Sequence, residues 1–593
     1  MKRSSILLCL SLALTSVVLA GCAEVVTEAE EGEAKIYLDY DSTKGNVTIS
    51  PLKSAYVIGD KIKIIASPYD GFSLKSISLN NSTVQQNETV TLTKKKNTIK
   101  VIFESSEDPQ PDPEPTPDPD PTPDAGRKGY TVSTNTTYLD LEYSGCFASV
   151  PSVGKPKILV VPVQFSDYTK FSTSDLSAIN ATFIGTNSDG SNNYWESLKS
   201  FYYKSSYGKL DLDIVISDVY VPSITGKTFR TMENTDTDYG AHGSYTLLDE
   251  VYSKATINGS KINYKDFDTN SDGYVDGVWM IYNAAKYNEV YDNQYFWAYS
   301  FNNYNNAPNI SKPTYSKYAN CSQIFLSEGG SNDAHTLIHE TGHMLGLDDY
   351  YSYDDIQYGA CGGLDMMDFN VGDHNAFSKF SLGWIEPTVI TDSCEFTLKP
   401  ITTTGDCIIL SAKSGKINSA FNEYIVLEYY TGDKLYELDA TKSYGGSYPR
   451  YQKDFGVRIF HIDGRLVDGY RKIANDDDLN LSAPDLNATD NTFRMCRASN
   501  TASYSSFGTN GKYNLIEAIT PSNKRSYNYA AFGYGSSGTI KLQNLFFTGD
   551  TFSTTNQSNF FISGKMHDGS TLPFTVKIGE LTSEGAKITI TKK

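Results

Sequence analysis

Cysteine is scarce in this chain, eight in 593 residues, which is too few to build the scaffold from disulfides. Positive charge is also in short supply. Lys and Arg number 51 against 70 Asp and Glu, a net charge of −19. Phosphate recognition relies on clustered cations, so nucleic acid is excluded as the expected partner. Beyond the N-terminus no stretch approaches the roughly 18 uninterrupted apolar residues of a membrane span. What is present is 39% hydrophobic and 13% aromatic content, enough for globular folding, and a length that suits two to four domains of about 150 residues each.

The N-terminus sets the compartment. Lys2 and Arg3 precede a short apolar run, and the segment closes on Leu19-Ala20-Gly21-Cys22. This is too short to span a bilayer and reads as an export signal over residues 1–21. The closing tetrapeptide resembles the bacterial lipoprotein lipobox, which implies lipid attachment at Cys22 and a location on the bacterial cell surface. The lipid is then the protein's only contact with membrane.

Composition marks the next boundaries. Residues 22–34 are acidic and read as a spacer. Residues 35–104 alternate apolar and polar side chains, as in Lys61-Ile62-Lys63-Ile64-Ile65, with Gly45, Gly59 and Gly71 as punctuation. They are expected to form a small all-β module, which resembles the divergent β-repeats of bacterial surface proteins. Residues 105–128 carry Pro at every second position from Pro109 to Pro123, between acids. Such a segment favours extended polyproline II and serves as a stiff linker.

Residues 129–390 are expected to be α/β and residues 391–593 rich in β-structure, the two together forming one large unit. Residues 157–165 form an apolar run of buried-strand type. Residues 195–207 show helical spacing, with Trp195, Leu198, Phe201 and Tyr202 on one face, and residues 210–221 alternate as a strand. Further strand-like runs fall at 423–430, 456–462 and 586–591.

The chemistry concentrates in His339-Glu340-Thr341-Gly342-His343-Met344-Leu345-Gly346-Leu347-Asp348-Asp349. Two histidines four apart share one helical face, so both imidazoles can reach one metal ion, and the intervening Glu340 points toward the water beside it. Gly346 lets the chain leave the helix sharply, which brings Asp349 back as a third ligand. Three protein ligands with one open position is the catalytic zinc arrangement, whereas structural sites are closed. Glu340 is then the general base that takes the water proton and later protonates the leaving amine.

With Val161-Pro162-Val163-Gln164-Phe165, Ser206-Tyr207-Gly208-Lys209-Leu210, Lys379-Phe380-Ser381-Leu382-Gly383-Trp384 and Gly456-Val457-Arg458-Ile459-Phe460-His461-Ile462-Asp463, the motif resembles the immune inhibitor A family of secreted bacterial zinc peptidases. The resemblance runs from about residue 151 to the C-terminus. It implies a zincin-like α/β catalytic domain, a mixed sheet plus the active-site helix, followed by a β-rich region. It also implies a Met-turn beneath the metal at Met366 or Met367, and protein or peptide substrates. The chain departs from the family at Asp348, where the family often has Pro.

A second metal site is expected before this helix. In Asp268-Thr269-Asn270-Ser271-Asp272-Gly273-Tyr274-Val275-Asp276, oxygen ligands alternate around a glycine turn as a calcium loop requires, with Tyr274 offering its carbonyl. Trp279 stands at loop position twelve, so the loop is not a complete EF-hand. His374 could approach the substrate oxyanion, but a lone histidine downstream of the motif reads first as a structural residue, and His461, in a strand-like run, reads as a packed one. Cys146, Cys321, Cys361, Cys394, Cys407 and Cys496 allow up to three bridges, and Cys146 is a candidate inhibitory thiolate. Two competing readings are a non-proteolytic surface adhesin that keeps the fold to bind glycan or protein, and a hydrolase of non-peptide amides.

Overall fold

Strand Lys157–Val163 is apolar at successive positions because both of its faces are covered. Ile158 and Val160 enter one core, while Leu159, Val161 and Val163 enter another. The computed structural model describes residues 33–40, 44–50, 53, 56–68, 72–80, 82–85, 88–105, 126–133, 136–140, 148–185, 195–235, 242–284, 296–303, 306–327, 332–351, 360–368, 372–412, 417–441, 454–467, 471–472, 492–493, 514–523 and 545–593. The signal segment with Cys22, most of the Pro-rich linker, Cys146 and Cys496 lie outside these residues. No helix among the described residues is long and apolar enough to cross a membrane.

The chain divides into two compact units, Met1–Thr122 and Pro123–Lys593. The described part of the first is all β, as its alternation predicts. Tyr56–Val57, Glu33–Asp39, Lys96–Ser105, Phe72–Leu79 and Ser82–Val84 form one sheet in that order, and Gly45–Ser50, Lys61–Pro68 and Thr89–Thr91 form another. Ile62, Ile64, Leu92 and Ile99 lie in the core between them. The first strand begins at Glu33, inside the expected spacer, because Glu33 and Ala34 pair with Val57 and Tyr56.

The second unit has mixed α/β content. Its first sheet runs Asp213–Ile216, Lys157–Val163, Gly277–Tyr282, Lys317–Ser322, Tyr299–Asn302. All neighbours are parallel except the last, antiparallel pair. Helix His242–Lys254 covers one face through Leu247, Leu248 and Val251. Helix His335–Met344 covers the other through Leu337, Ile338 and Met344. The strand expected over 210–221 is confined to Asp213–Ile216. Isolated bridges at Leu210 and Tyr220 extend its pairing on either side, and between Ile216 and Tyr220 the Asp218 carboxylate accepts from Thr256 Oγ1 at 2.6 Å and Gly259 N at 2.8 Å.

A six-stranded sheet follows in the order Ile516–Ala518, Gly456–Asp463, Glu423–Tyr430, Cys407–Leu410, Thr388–Ile390, Gly129–Thr131. One face contributes Val426, Phe460 and Ile462 to the same core as helix His335–Met344. The other, with Ile425, Leu427 and Ile459, packs on the sheet Cys394–Leu398, Gly585–Lys592, Phe574–Thr582, Thr551–Phe552. Residue 390 therefore marks a change of composition inside one unit. Cys321, Cys361, Cys394 and Cys407 are free thiols, so none of these four forms the bridges that the sequence allowed.

A buried ion pair locks the six-stranded sheet to the α/β part. Arg458 Nη1 lies 3.3 Å from Glu428 Oε1 and 3.1 Å from the Tyr436 hydroxyl, with its guanidinium 4.0 Å from the Tyr430 ring centroid. Glu428 Oε2 accepts from Ala376 N at 2.6 Å, the first residue of helix Ala376–Ser381. Breaking such a pair leaves an uncompensated buried charge, so R458M is expected to cost about 3–5 kcal/mol. Urea denaturation of the variant checks this, and an unchanged midpoint contradicts it.

Candidate metal centre

Helix His335–Met344 is held from three sides. Tyr202 Oη donates to Ile338 O at 2.7 Å, Trp279 Nε1 donates to Thr341 Oγ1 at 3.1 Å, and Met344 O accepts from Ser149 N and Val150 N at 3.0 and 3.1 Å. The helix ends in a Schellman turn: Leu347 N bonds Gly342 O and Gly346 N bonds His343 O, both at 3.0 Å. Gly346 has φ +110°, and a Cβ there would lie 2.4 Å from Tyr138 Cγ. Only glycine suits that position.

This turn returns Asp349 to the histidines. His339 Nε2 lies 2.9 Å and His343 Nε2 3.3 Å from Asp349 Oδ1. The opposite ring nitrogens are also engaged, His339 Nδ1 with Met366 O at 3.0 Å and His343 Nδ1 with Leu347 O at 2.7 Å. Backbone carbonyls at Nδ1 fix the tautomer and aim each Nε2 at a shared point, as metal-ligating histidines require. Asp349 rather than Asp348 is thus the carboxylate that meets the two imidazoles, and the three together could hold a metal ion.

Glu340 is buried beside the three donors. Burial pushes its carboxyl pKa up against the pull of His343 and His339, and the Ser300 backbone N–H also bonds it. Burial would raise Asp349 too, but the two imidazoles outweigh it and hold the carboxyl well below the usual range. In His339, burial lowers the pKa and Asp349 more than compensates, to about 9.

The two methionines expected at the Met-turn differ in what they touch: the Met366 carbonyl lies 3.0 Å from His339 Nδ1, and the Met367 thioether packs so closely on Gly342 that a Cβ there would meet Sδ at 2.4 Å. Asp365, fully buried, pins this loop by accepting from Met367 N at 2.8 Å and Asn375 N at 2.7 Å. His374 Nδ1 lies 3.1 Å from Asp365 Oδ1 and its ring packs against Phe201 and Trp384. It is a packed residue, as the sequence suggests. Tyr350 is buried with its hydroxyl 2.9 Å from Ser378 Oγ, whereas the Tyr351 ring lies nearly parallel to His339 at 6.5 Å.

The expected calcium loop forms a tight turn with Gly273 at φ +89°. Asp268 accepts from Asp272 N and Gly273 N, Asn270 Oδ1 accepts from Asp272 N, and Asp272 Oδ1 accepts from Tyr274 N. Asp276 is engaged elsewhere, accepting from Lys157 N and from Thr269 N and Oγ1. Burial raises its pKa to about 6. Among the described residues, two groups of at least three His, Cys, Asp or Glu bring their ligand atoms within 4.8 Å of one another. They are His339–His343–Asp349 and Glu423–His461–His567; Asp268, Asp272 and Asp276 do not form a third. Sequence reading misses the second group because Glu423 and His567 stand 144 residues apart, with no spacing motif.

A cation must displace the proton that His339 carries below pH 9. Its apparent affinity for this site is expected to rise about tenfold per pH unit from pH 7 and to level off near pH 9. Calorimetric titration against an H339A blank reads this, and an affinity independent of pH over that range contradicts it. No family model and no curated protein matches the chain, so the reading of its function rests on the chemistry of this site.

Proposed function

We propose that the chain is a zinc-dependent endopeptidase with a zincin-like catalytic domain, akin to the immune inhibitor A family. It would be held at a bacterial cell surface by lipid on Cys22 and act on extracellular proteins or peptides. One observation carries the reading: two Nε2 atoms, each fixed from behind by a carbonyl, meet Asp349 Oδ1 beside the buried Glu340. Three protein donors leave a position for water, and a purely structural site has no need of a carboxylate next to it.

His339, His343 and Asp349 would hold the zinc ion, which would supply Lewis acidity to the scissile carbonyl and the attacking water. Glu340 takes the proton from that water and hands it to the departing amine nitrogen. The Ser300 N–H restrains the Glu340 carboxylate, and burial raises its proton affinity toward the range useful for such transfer. Charge on the developing oxyanion would be shared with the metal and with a nearby tyrosine; the Tyr351 ring lies beside His339, whereas the Tyr350 hydroxyl is held by Ser378 Oγ. The loop Asp268–Asp276 enters this reading as a calcium-binding stabiliser through Asp268, Asn270, Asp272 and the Tyr274 carbonyl, on the alternation of its oxygen ligands around Gly273; Asp276 would have to leave Lys157 N and Thr269 to join them.

An adhesin that merely keeps the fold has no use for the buried base, so Glu340 separates the two classes. The E340Q protein is expected to retain its metal and lose about 10²–10⁴-fold or more in cleavage of an unfolded protein substrate. Undiminished cleavage by metal-loaded E340Q would sink the peptidase mechanism.

A further inference from the structure

The second convergence of ligand atoms lies on the six-stranded sheet, on the face turned away from the peptidase core. Antiparallel register sets Glu423 opposite Asp463, Ile425 opposite His461, and His461 opposite Glu517. Residues directly opposite, and residues two apart along a strand, share one face of a sheet. Glu423, His461, Asp463 and Glu517 therefore project together, on the side where Ile425 and Ile459 meet the C-terminal sheet. The turn around Met566–Ser570, closed by Met566 N to Ser570 O at 3.0 Å, brings His567 over them.

His461 Nε2 lies 3.0 Å from Glu423 Oε1, and the two imidazole centroids are 4.4 Å apart. Two donors on one tetrahedral zinc-type ion stand about 3.3 Å apart, so the first spacing matches that of a ligand pair. It also matches the 2.9 and 3.3 Å spacings at His339, His343 and Asp349. His567 Nδ1 lies 2.9 Å from Asp463 Oδ2, the carboxylate–histidine pairing that orients metal ligands. The Phe561 ring packs on His461 at 5.1 Å. Side-chain exposure is 4% for Glu423, 1% for His461 and 11% for His567, so the group is largely closed to solvent.

We propose that Glu423, His461 and His567 form a second, structural binding site for a zinc-type divalent cation, with Asp463 as the carboxylate behind His567. In this arrangement Glu423 contributes Oε1, His461 contributes Nε2, and His567 donates Nδ1–H to Asp463 and coordinates through Nε2. Glu423 also accepts from His567 N at 2.5 Å through Oε1 and from Asp568 N at 3.0 Å through Oε2, which holds the turn that carries His567 beside His461. The ion would tie strands Glu423–Tyr430 and Gly456–Asp463 to the segment leading into strand Phe574–Thr582, which is the role of a clamp.

The test uses the full mature chain carrying H339A and H343A, so that the first site is disabled and this one is intact. After loading with Zn²⁺ and gel filtration, elemental analysis is expected to find about one zinc per chain, and H567Q added to that background is expected to lose it. No retained zinc, or zinc retained after H567Q, overturns the proposal. A second measurement needs no further variant. Carbethoxylation of the H339A/H343A chain, mapped by mass spectrometry, is expected to fall several-fold at His567, the more exposed of the two histidines, when Zn²⁺ is present. Equal labelling with and without zinc overturns it.

Discussion

Two imidazoles on one helical turn cannot hold a catalytic metal by themselves, because a third donor must come back to them within a few residues and from the correct side. In this chain the return depends on the Schellman turn at Gly346, whose φ of +110° and close approach to Tyr138 admit no side chain. Asp349 then falls within 2.9 and 3.3 Å of the two Nε2 atoms. The rest of the centre follows from that reversal. The Leu347 carbonyl in the turn orients His343, and the Met366 carbonyl from the facing loop orients His339.

The surrounding architecture holds the pieces in register. The parallel sheet is buried on both faces, so the metal helix rests on a rigid layer, and hydrogen bonds from Tyr202 and Trp279 fix its position along that layer. The facing methionine loop hangs from Asp365, which also bonds Asn375 N at the head of helix Ala376–Ser381. That helix is bonded through Ala376 to Glu428 and so to Arg458 in the six-stranded sheet. The β-rich C-terminal region is thus a structural support for the candidate metal centre, reached through a short chain of buried polar contacts.

Much of this was legible from residue types alone. Spacing of four on a helix, a glycine and a returning acid identify the first metal group, since all three signals are local. Alternation and apolar runs locate the strands at 157–163, 423–430 and 456–463 to within two residues. What escaped depends on contacts between distant segments. His461 looks like a packed strand residue until Glu423 and His567 are brought beside it. The interruption of the strand after Ile216 coincides with Asp218 bonding to Thr256 and Gly259, some forty residues later. The two methionines are indistinguishable in sequence because one acts through its backbone carbonyl and the other through its sulfur.

The central claim, that the centre at His339, His343 and Asp349 performs metal-dependent peptide hydrolysis, is tested most directly by metal depletion and return. The mature chain is stripped with a chelator, its folding is verified by circular dichroism, and zinc is titrated back while cleavage of an unfolded protein is followed. Cleavage should vanish on stripping and return in proportion to zinc at this site, with no recovery in the H343A chain. Cleavage that persists in the stripped protein, or its absence from the fully zinc-loaded protein across a broad peptide library, would contradict the account.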